Sequence, residues 1–300
     1  MLASYGSPMQ KLLNDFPSLD HLGWIADDLN SSAIAWEKLG FRLSRVSPQM
    51  GFTGPNGDLE LWGTANRCAL FQAGYLELIG VVDEERFNPW KTYLERGARP
   101  HIAAFRVAEA DSAYPLLKSR IQGFDPPVQR SRMAPIGLHK NAGEIEMRFR
   151  NIFSQDDFWP EGRIIVIEHQ TPEALWQREL LDHPNGATAL VEAIFTSPNV
   201  HQTSERVSLL LNQPLKSKTF TSPGDGKVTI LEPSEFAARF PGAQAPNRPS
   251  ISAAVVTVKD LAVVDRVASA NHVQLSKIPE GGLAAIGKAA VGGVIAFVEA

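Results

Sequence analysis

The 300-residue chain holds a single cysteine, Cys68, so no intrachain disulfide can form, and such thiol scarcity fits a reducing compartment. It has no basic excess either. Its 29 Lys and Arg face 33 Asp and Glu, a formal net charge of -4 with both signs interspersed. No basic patch is interleaved with aromatics, which argues against a nucleic-acid partner. No run is long enough to span a bilayer, and Met1 to Phe16 lacks the basic-then-apolar layout of a secretion signal. A soluble, cytoplasmic protein with no membrane partner is therefore expected. Gly281-Gly282 and Gly292-Gly293 have neither GxGxxG nor P-loop spacing, and no G-x-S-x-G elbow occurs. Cys68, followed by Ala69, Leu70 and Phe71, reads as a small buried residue rather than a nucleophile.

What the chain does contain is 44% hydrophobic residues and a repeat. Leu19 to Ala26 is an apolar, strand-like run with His21 near its front, and the helical segment Ala33 to Leu39 follows, stopping at Gly40. Phe41 to Val46 alternates like a strand, Pro48 to Gly57 reads as a loop, and Leu59 to Trp62, Asn66 to Phe71 and Tyr75 to Ile79 close the unit. The same order restarts at Arg99 to Val107, with His101 near the front. It continues through a helix at Ser112 to Arg120, whose Pro115 is tolerable only in the first turn, to strands at Val128 to Met133, Glu144 to Phe153 and Arg163 to Glu168. A helical segment at Pro172 to Leu181 and the breaker His183-Pro184-Asn185-Gly186 form a connector. Two shortened copies follow from Ala189 and from Ile251, with Phe236 to Pro249 as a loop. The expectation is an α+β fold of four βαβββ units pairing into two curved, incomplete barrels, divided as residues 1-182 and 183-300.

Strand alternation places Tyr75, Glu77 and Ile79 on one face and Leu76 and Leu78 on the other. A carboxylate between two leucines is costly to bury unpaired, so Glu77 either lines a cavity or marks an edge strand. His21 alone would more often be a hydrogen-bonded strand-end histidine than a ligand; the matching position of His101 favours contact with a metal or substrate for the pair. Glu168 and His169 are adjacent and point to opposite faces, so one or the other faces the cavity. Asn66 and Arg67 are candidate substrate-contacting groups, although Arg67 could equally pair with a surface carboxylate. Trp24 and Trp36 read as core. Trp62 and Trp159 read as surface caps or pocket walls, and His139, His183, His201 and His272 need no function.

The unit order, with Leu19-Asp20-His21-Leu22, Gly63-Thr64-Ala65-Asn66-Arg67, Tyr75-Leu76-Glu77-Leu78-Ile79, His101 to Val107 and Ile167-Glu168-His169-Gln170-Thr171-Pro172, resembles the vicinal oxygen chelate superfamily. Within it, the first half looks most like the glyoxalase-like domain family. The resemblance implies a divalent metal (Mn, Fe, Ni or Zn) held by His21, Glu77, His101 and Glu168, with Glu77 and Glu168 as the carboxylates that move protons and Asn66, Arg67 and His169 near substrate. It implies a metal-dependent lyase, isomerase or dioxygenase acting on a small molecule with vicinal oxygens. The other reading is a metal-free protein that binds or sequesters a small molecule, as resistance proteins of the superfamily do. In the second half Ala189 and Ser252 stand where the histidines would be, and only Glu299 and Glu232 remain, which makes a poor metal site. That half reads as a degenerate copy with a structural or homodimerising role.

Overall fold

In a computed structural model that describes residues 17–54, 57–139 and 141–300, two mixed sheets form an α+β fold. Met1 to Phe16 and two residues of the expected Pro48–Gly57 loop, Pro55 and Asn56, lie outside the described residues, and the start of that loop is strand instead. The first unit is β1 (Ser18–Ala26), α1 (Leu29–Lys38), β2 (Ser47–Phe52), β3 (Leu59–Leu70) and β4 (Tyr75–Val81). After a short helix, α2 (Lys91–Leu94), comes β5 (Arg99–Arg106), α3 (Ala110–Arg120), β6 (Val128–Pro135), β7 (Glu144–Phe153) and β8 (Arg163–His169). They make one eight-stranded sheet in the order β2-β3-β4-β1-β5-β8-β7-β6. The two units are mirrored about the antiparallel β1–β5 pair, and each closes with a parallel pair, β1–β4 and β5–β8. The sheet curls until its edge strands meet, where the Arg132 guanidinium on β6 donates to Ser47 Oγ on β2.

The connector holds α4 (Pro172–Leu175) and a 3-10 turn at Arg178–Leu180, shorter than the helix expected there. The second sheet is built from β9 (Ala187–Thr196), α5 (Val200–Leu211), β10 (Thr219–Thr221), β11 (Lys227–Leu231) and α6 (Pro233–Arg239). Then come β12 (Ser250–Val258), α7 (Leu261–Ala270), β13 (Ser276–Lys277), β14 (Leu283–Ile286) and β15 (Val294–Glu299). Its order is β10-β11-β9-β12-β15-β14-β13, so the third unit is one strand short of βαβββ among the described residues. A helix, α6, takes up the start of the expected Phe236–Pro249 loop. It lays Phe236 against Ile194, Ala253 and Val255 on the inner face of the second sheet.

Three local expectations change. Phe41 to Val46 is not a strand: Phe41 and Leu43 are buried in the core while Ser44 bonds to Cys68 on β3, and regular pairing starts only at Ser47. Pro48 fits there because β2 is an edge strand with a register shift between Pro48 and Met50. Pro115 sits in the second turn of α3, because the helix begins at Ala110. Trp159 is fully buried against Phe124 rather than capping a surface.

One apolar cluster joins the two sheets. Leu22, Trp24 and Trp36 from the first unit, Ala103 and Phe105 from the second, and Phe195, Val256 and Phe297 from the second sheet all belong to it. Trp24 meets Trp36 edge to face at 5.3 Å, and its indole N–H donates to the Ala290 carbonyl at 2.9 Å. His183, expected to be idle, is buried in the connector: Nε2 donates to the Leu70 carbonyl, and Nδ1 accepts from the Arg42 amide. Among the described residues no helix is long and apolar enough to cross a membrane.

Candidate functional site

The inner face of the first barrel is apolar at both ends and polar in the middle. Ile25, Ile79, Ile102, Ala104, Ile165 and Ile167 pack with Trp90 and Tyr93 at one end; Cys68, Leu70, Tyr75 and Met147 pack at the other. Between them lie Asp20, His21, Asn66, Glu77, Arg106 and His169. Tyr75, Glu77 and Ile79 do share the inner face, while Leu76 and Leu78 face the core shared with the helices.

His21 is fixed from two sides. Its Nδ1 lies 2.8 Å from Asp20 Oδ1, and its ring stacks on Tyr75 at 4.2 Å. An ionised carboxylate only accepts, so Nδ1 carries a proton, and in the neutral ring Nε2 keeps its lone pair. That Nε2 faces Glu77 Oε2 at 3.8 Å, and the Asn66 amide donates to Glu77 Oε1. Adjacent residues on a strand should point to opposite faces, yet Asp20 and His21 act together. The reason is a register shift in the β1–β5 pairing between Leu19 and His21, a bulge that turns Asp20 inward.

Asp20 is completely buried and holds three cations or donors. Besides His21, it meets His169 Nε2 at 3.1 Å through Oδ1, and Arg106 Nε at 2.9 Å through Oδ2. The Arg106 contact is an ion pair without hydrogen-bond alignment. Burial would raise the Asp20 pKa, but the charges of His169 and Arg106 and the hydrogen bonds from both histidines outweigh it. They hold the carboxyl well below the ordinary aspartate range. Asp20 escaped the sequence reading, although a charge inside an apolar strand was the available signal.

The other nominated residues go elsewhere. His101 is the extra residue at a second register shift of the β1–β5 pair, and its ring packs against Tyr93 at 5.4 Å, at the apolar end of the inner face rather than beside His21 and Glu77. Its Nε2 donates to the Gly97 carbonyl at 2.9 Å. Glu168 shares its face of β8 with Ile164 and Val166, and its Oε2 accepts from the Ala110 amide at the start of α3. His169 therefore takes the inward position. Arg67 also points outward, to Glu37 on α1 at 2.9 Å.

Register explains the mismatch. In the parallel ladders His21 opens opposite Tyr75, and Ile102, not His101, opens opposite Arg163. The corresponding pairs in the second sheet are Glu192 with Lys227 and Ala253 with Val294, so Ser252 is the counterpart of His101, while Glu192 rather than Ala189 is the counterpart of His21. Two residues further along, Glu77 corresponds to Ile165, and Glu168 corresponds to Gly80. The repeated histidines are thus offset by one residue, and His101 corresponds to Asp20, each standing at a register shift of the β1–β5 pair. Glu168 and Glu299 are true equivalents, and both cap helices, since Glu299 Oε1 accepts from the Leu261 amide. Among the described residues no three His, Cys, Asp or Glu side chains are arranged to hold an ion. The four-ligand set does not fit this geometry: His21 and Glu77 converge, Glu168 turns out to cap α3, and His101 is held apart by the Gly97 carbonyl and Tyr93.

Two consequences can be measured. Glu168→Ala should cost about 1 kcal/mol of stability through the lost α3 cap and leave any ligand binding in the barrel unchanged. Urea unfolding checks the first part and a binding titration the second. Burial, assisted by Arg99, Arg96 and Arg248, lowers the His101 pKa to about 4. The folded state thus favours neutral imidazole, and this contribution is intact above the unfolded value of about 6.5 and lost as pH falls toward 4. It amounts to roughly 3 kcal/mol, and a His101→Gln chain should show a correspondingly flatter stability profile between those pH values.

The profile of the glyoxalase-like domain family matches residues 19–211, nearly two thirds of the chain. The chain belongs to that family. A search of curated proteins gave no significant match. Among solved structures, this glyoxalase-like protein resembles a hypothetical protein from Staphylococcus aureus at TM-score 0.58 and 11% identity, covering 95% of this chain and 99% of that one. It also resembles a mutant 4-hydroxymandelate synthase from Streptomyces coelicolor at TM-score 0.53 and 14% identity, covering 88% and 78%. At these identities the likeness is one of fold.

Beside the polar centre a cavity of about 20 Å3, lined by Asn66, Cys68, Ser47 and Arg132, opens along the seam between the edge strands. That is room for about one water. Cys68 is buried, and burial and the nearby Glu77 charge raise its pKa, so it is no thiolate nucleophile.

Proposed function

We propose that the protein is a glyoxalase-like lyase or isomerase that moves a proton on a small oxygenated substrate inside the first barrel. His21 and Glu77 are the proton-handling pair. The observation that carries this reading is the placement of the His21 ring: Nδ1 lies 2.8 Å from Asp20 Oδ1, and Nε2 is thereby turned to Glu77 Oε2, 3.8 Å away. Nε2 takes a proton from a carbon beside a carbonyl, and the buried Asp20 carboxylate stabilises the imidazolium that results. Asn66 keeps the Glu77 carboxylate turned toward the same point, so Glu77 can exchange the proton with a neighbouring atom. Arg132, at the seam with Asn66, supplies positive charge for a substrate oxygen. Glu168, which caps α3, and His101, which is held at the Gly97 carbonyl beside Tyr93, stand apart from His21 and Glu77 and speak against the four-ligand site that the family resemblance implied.

A second reading, small-molecule binding without turnover, rests on the same buried polar centre and requires no proton transfer to the bound molecule. Deuterium wash-in into hydroxyacetone and related α-hydroxyketones, followed by proton NMR, separates the two. The enzyme reading expects accelerated exchange that falls about 10²–10⁴-fold in His21→Gln with the fold intact. Absence of exchange in the native chain, alongside saturable binding of the same probes, supports the second reading. A stoichiometric metal in purified protein, lost in both His101→Gln and Glu168→Gln, would overturn the site as drawn.

A further inference from the structure

A second recess lies outside that site. On the inner side of the second sheet a cavity of about 510 Å3 is floored by Ile251, Ser252, Ile286 and Val294 and walled by Phe236. Its opposite wall is Arg99, which belongs to β5 of the first sheet. Two glycines put the arginine there. A Cβ on Gly292, whose φ is +79°, would stand 1.7 Å from the Ala98 carbonyl oxygen, and one on Gly293 would stand 2.6 Å from Pro100 Cδ. Only glycine lets the chain entering β15 press so closely on the start of β5.

The charge around the cavity is one-sided. Lys288 also lines it. Burial and then the charges of Arg96 and Arg99 lower the pKa of Arg248, so three guanidiniums lie within each other's field. Ion pairs of Arg67, Arg106, Arg150, Arg163, Arg206 and Arg239 are formed elsewhere, but among the described residues none joins Arg96, Arg99, Arg248 or Lys288 to a carboxylate. The Arg99 Nε is buried without a hydrogen-bond partner. A buried, unpaired donor beside like charges is costly, and an anion in the cavity would satisfy both. Gln244 and Ser252 add neutral polar groups, Phe236, Ile251, Ile286 and Val294 supply an apolar wall, and the volume falls in the range of small-molecule sites.

We propose that this cavity binds a small organic anion, with a carboxylate or phosphate head on Arg99 and an apolar body against Phe236, Ile251 and Ile286. The site is independent of the proton-handling pair in the first barrel. Isothermal titration of the full chain with sodium octanoate, phenyl phosphate and octanol tests it. At least one of the two anions should saturate at one per chain, and octanol should not; which anion binds identifies the head group. Arg99→Gln should weaken that binding at least tenfold, added salt should weaken it, and the space-filling Ile286→Trp should abolish it. His21→Gln should leave it unchanged, which keeps this test separate from that of the first barrel. Thermal melts confirm that each variant folds. Failure of both anions to saturate, equal binding of octanol, an unaffected Arg99→Gln, or a loss in His21→Gln would each overturn the proposal.

Discussion

An Asp20→Ala chain is expected to lose about 3 kcal/mol of folding stability at neutral pH. The carboxylate is buried and balances His169 and Arg106 while orienting His21, so its removal leaves a buried imidazole and a guanidinium without their counter-charge. Arg106 is about one-third exposed and can recover some hydration, which keeps the figure at the lower end for a broken buried pair. The pH dependence identifies the cause. The folded-state pKa of Asp20 is depressed, so its stabilisation is complete above the unfolded value of about 3.9 and is lost as pH falls below that toward the depressed value. The gap between native and variant proteins should therefore narrow only below about pH 4. That window lies beneath the one assigned to His101, so urea unfolding at pH 7, 5 and 3 separates the two groups. An unchanged gap at pH 3 would show that packing, not charge, is lost. Asp20→Asn, which keeps the shape and one acceptor, should cost less than Asp20→Ala at pH 7.

Trp24→Ala should be more damaging still, at about 4–6 kcal/mol. Trp24 is fully buried between the sheets, and truncation removes its edge contact with Trp36 and leaves a cavity at the seam of the two halves. It also strips the Ala290 carbonyl of its indole donor. A loss of that size is a large part of ordinary domain stability, so little folded protein is expected at 37 °C. Trp24→Phe, which retains much of the packing but no N–H, should cost about 1–3 kcal/mol. Far-UV circular dichroism through a urea titration measures both. If Trp24→Ala unfolded the first sheet and left the second intact, the shared core would not couple the halves as described.

The unit order and the inward face of Glu77 were legible in the sequence because both rest on period-two alternation and turn signals, which act locally. The family resemblance was legible for the same reason. The partnership of His21 with His101 was not, because it depends on register between strands some eighty residues apart, and equal spacing from a strand's start does not fix register. Asp20 was missed because alternation was trusted across a bulge. Glu168 was misplaced because a glutamate at a strand end serves equally well as a ligand or as a cap, and the cap is visible only once Ala110 is seen beside it. His169, left open beside Glu168, proves to be the inward residue and a partner of Asp20.

The offset between His21 and His101 also bears on how such a duplicated protein can change over generations. Gaining or losing one codon at the register shift in β5 would move its histidine from one chemical environment to another, and the bulge would absorb the change while the rest of the strand kept its faces. Short insertions and deletions, rather than substitutions at ligand positions, would then be an economical way for a lineage of this architecture to disconnect an inherited centre in one half of a barrel and leave the other half free to acquire its own.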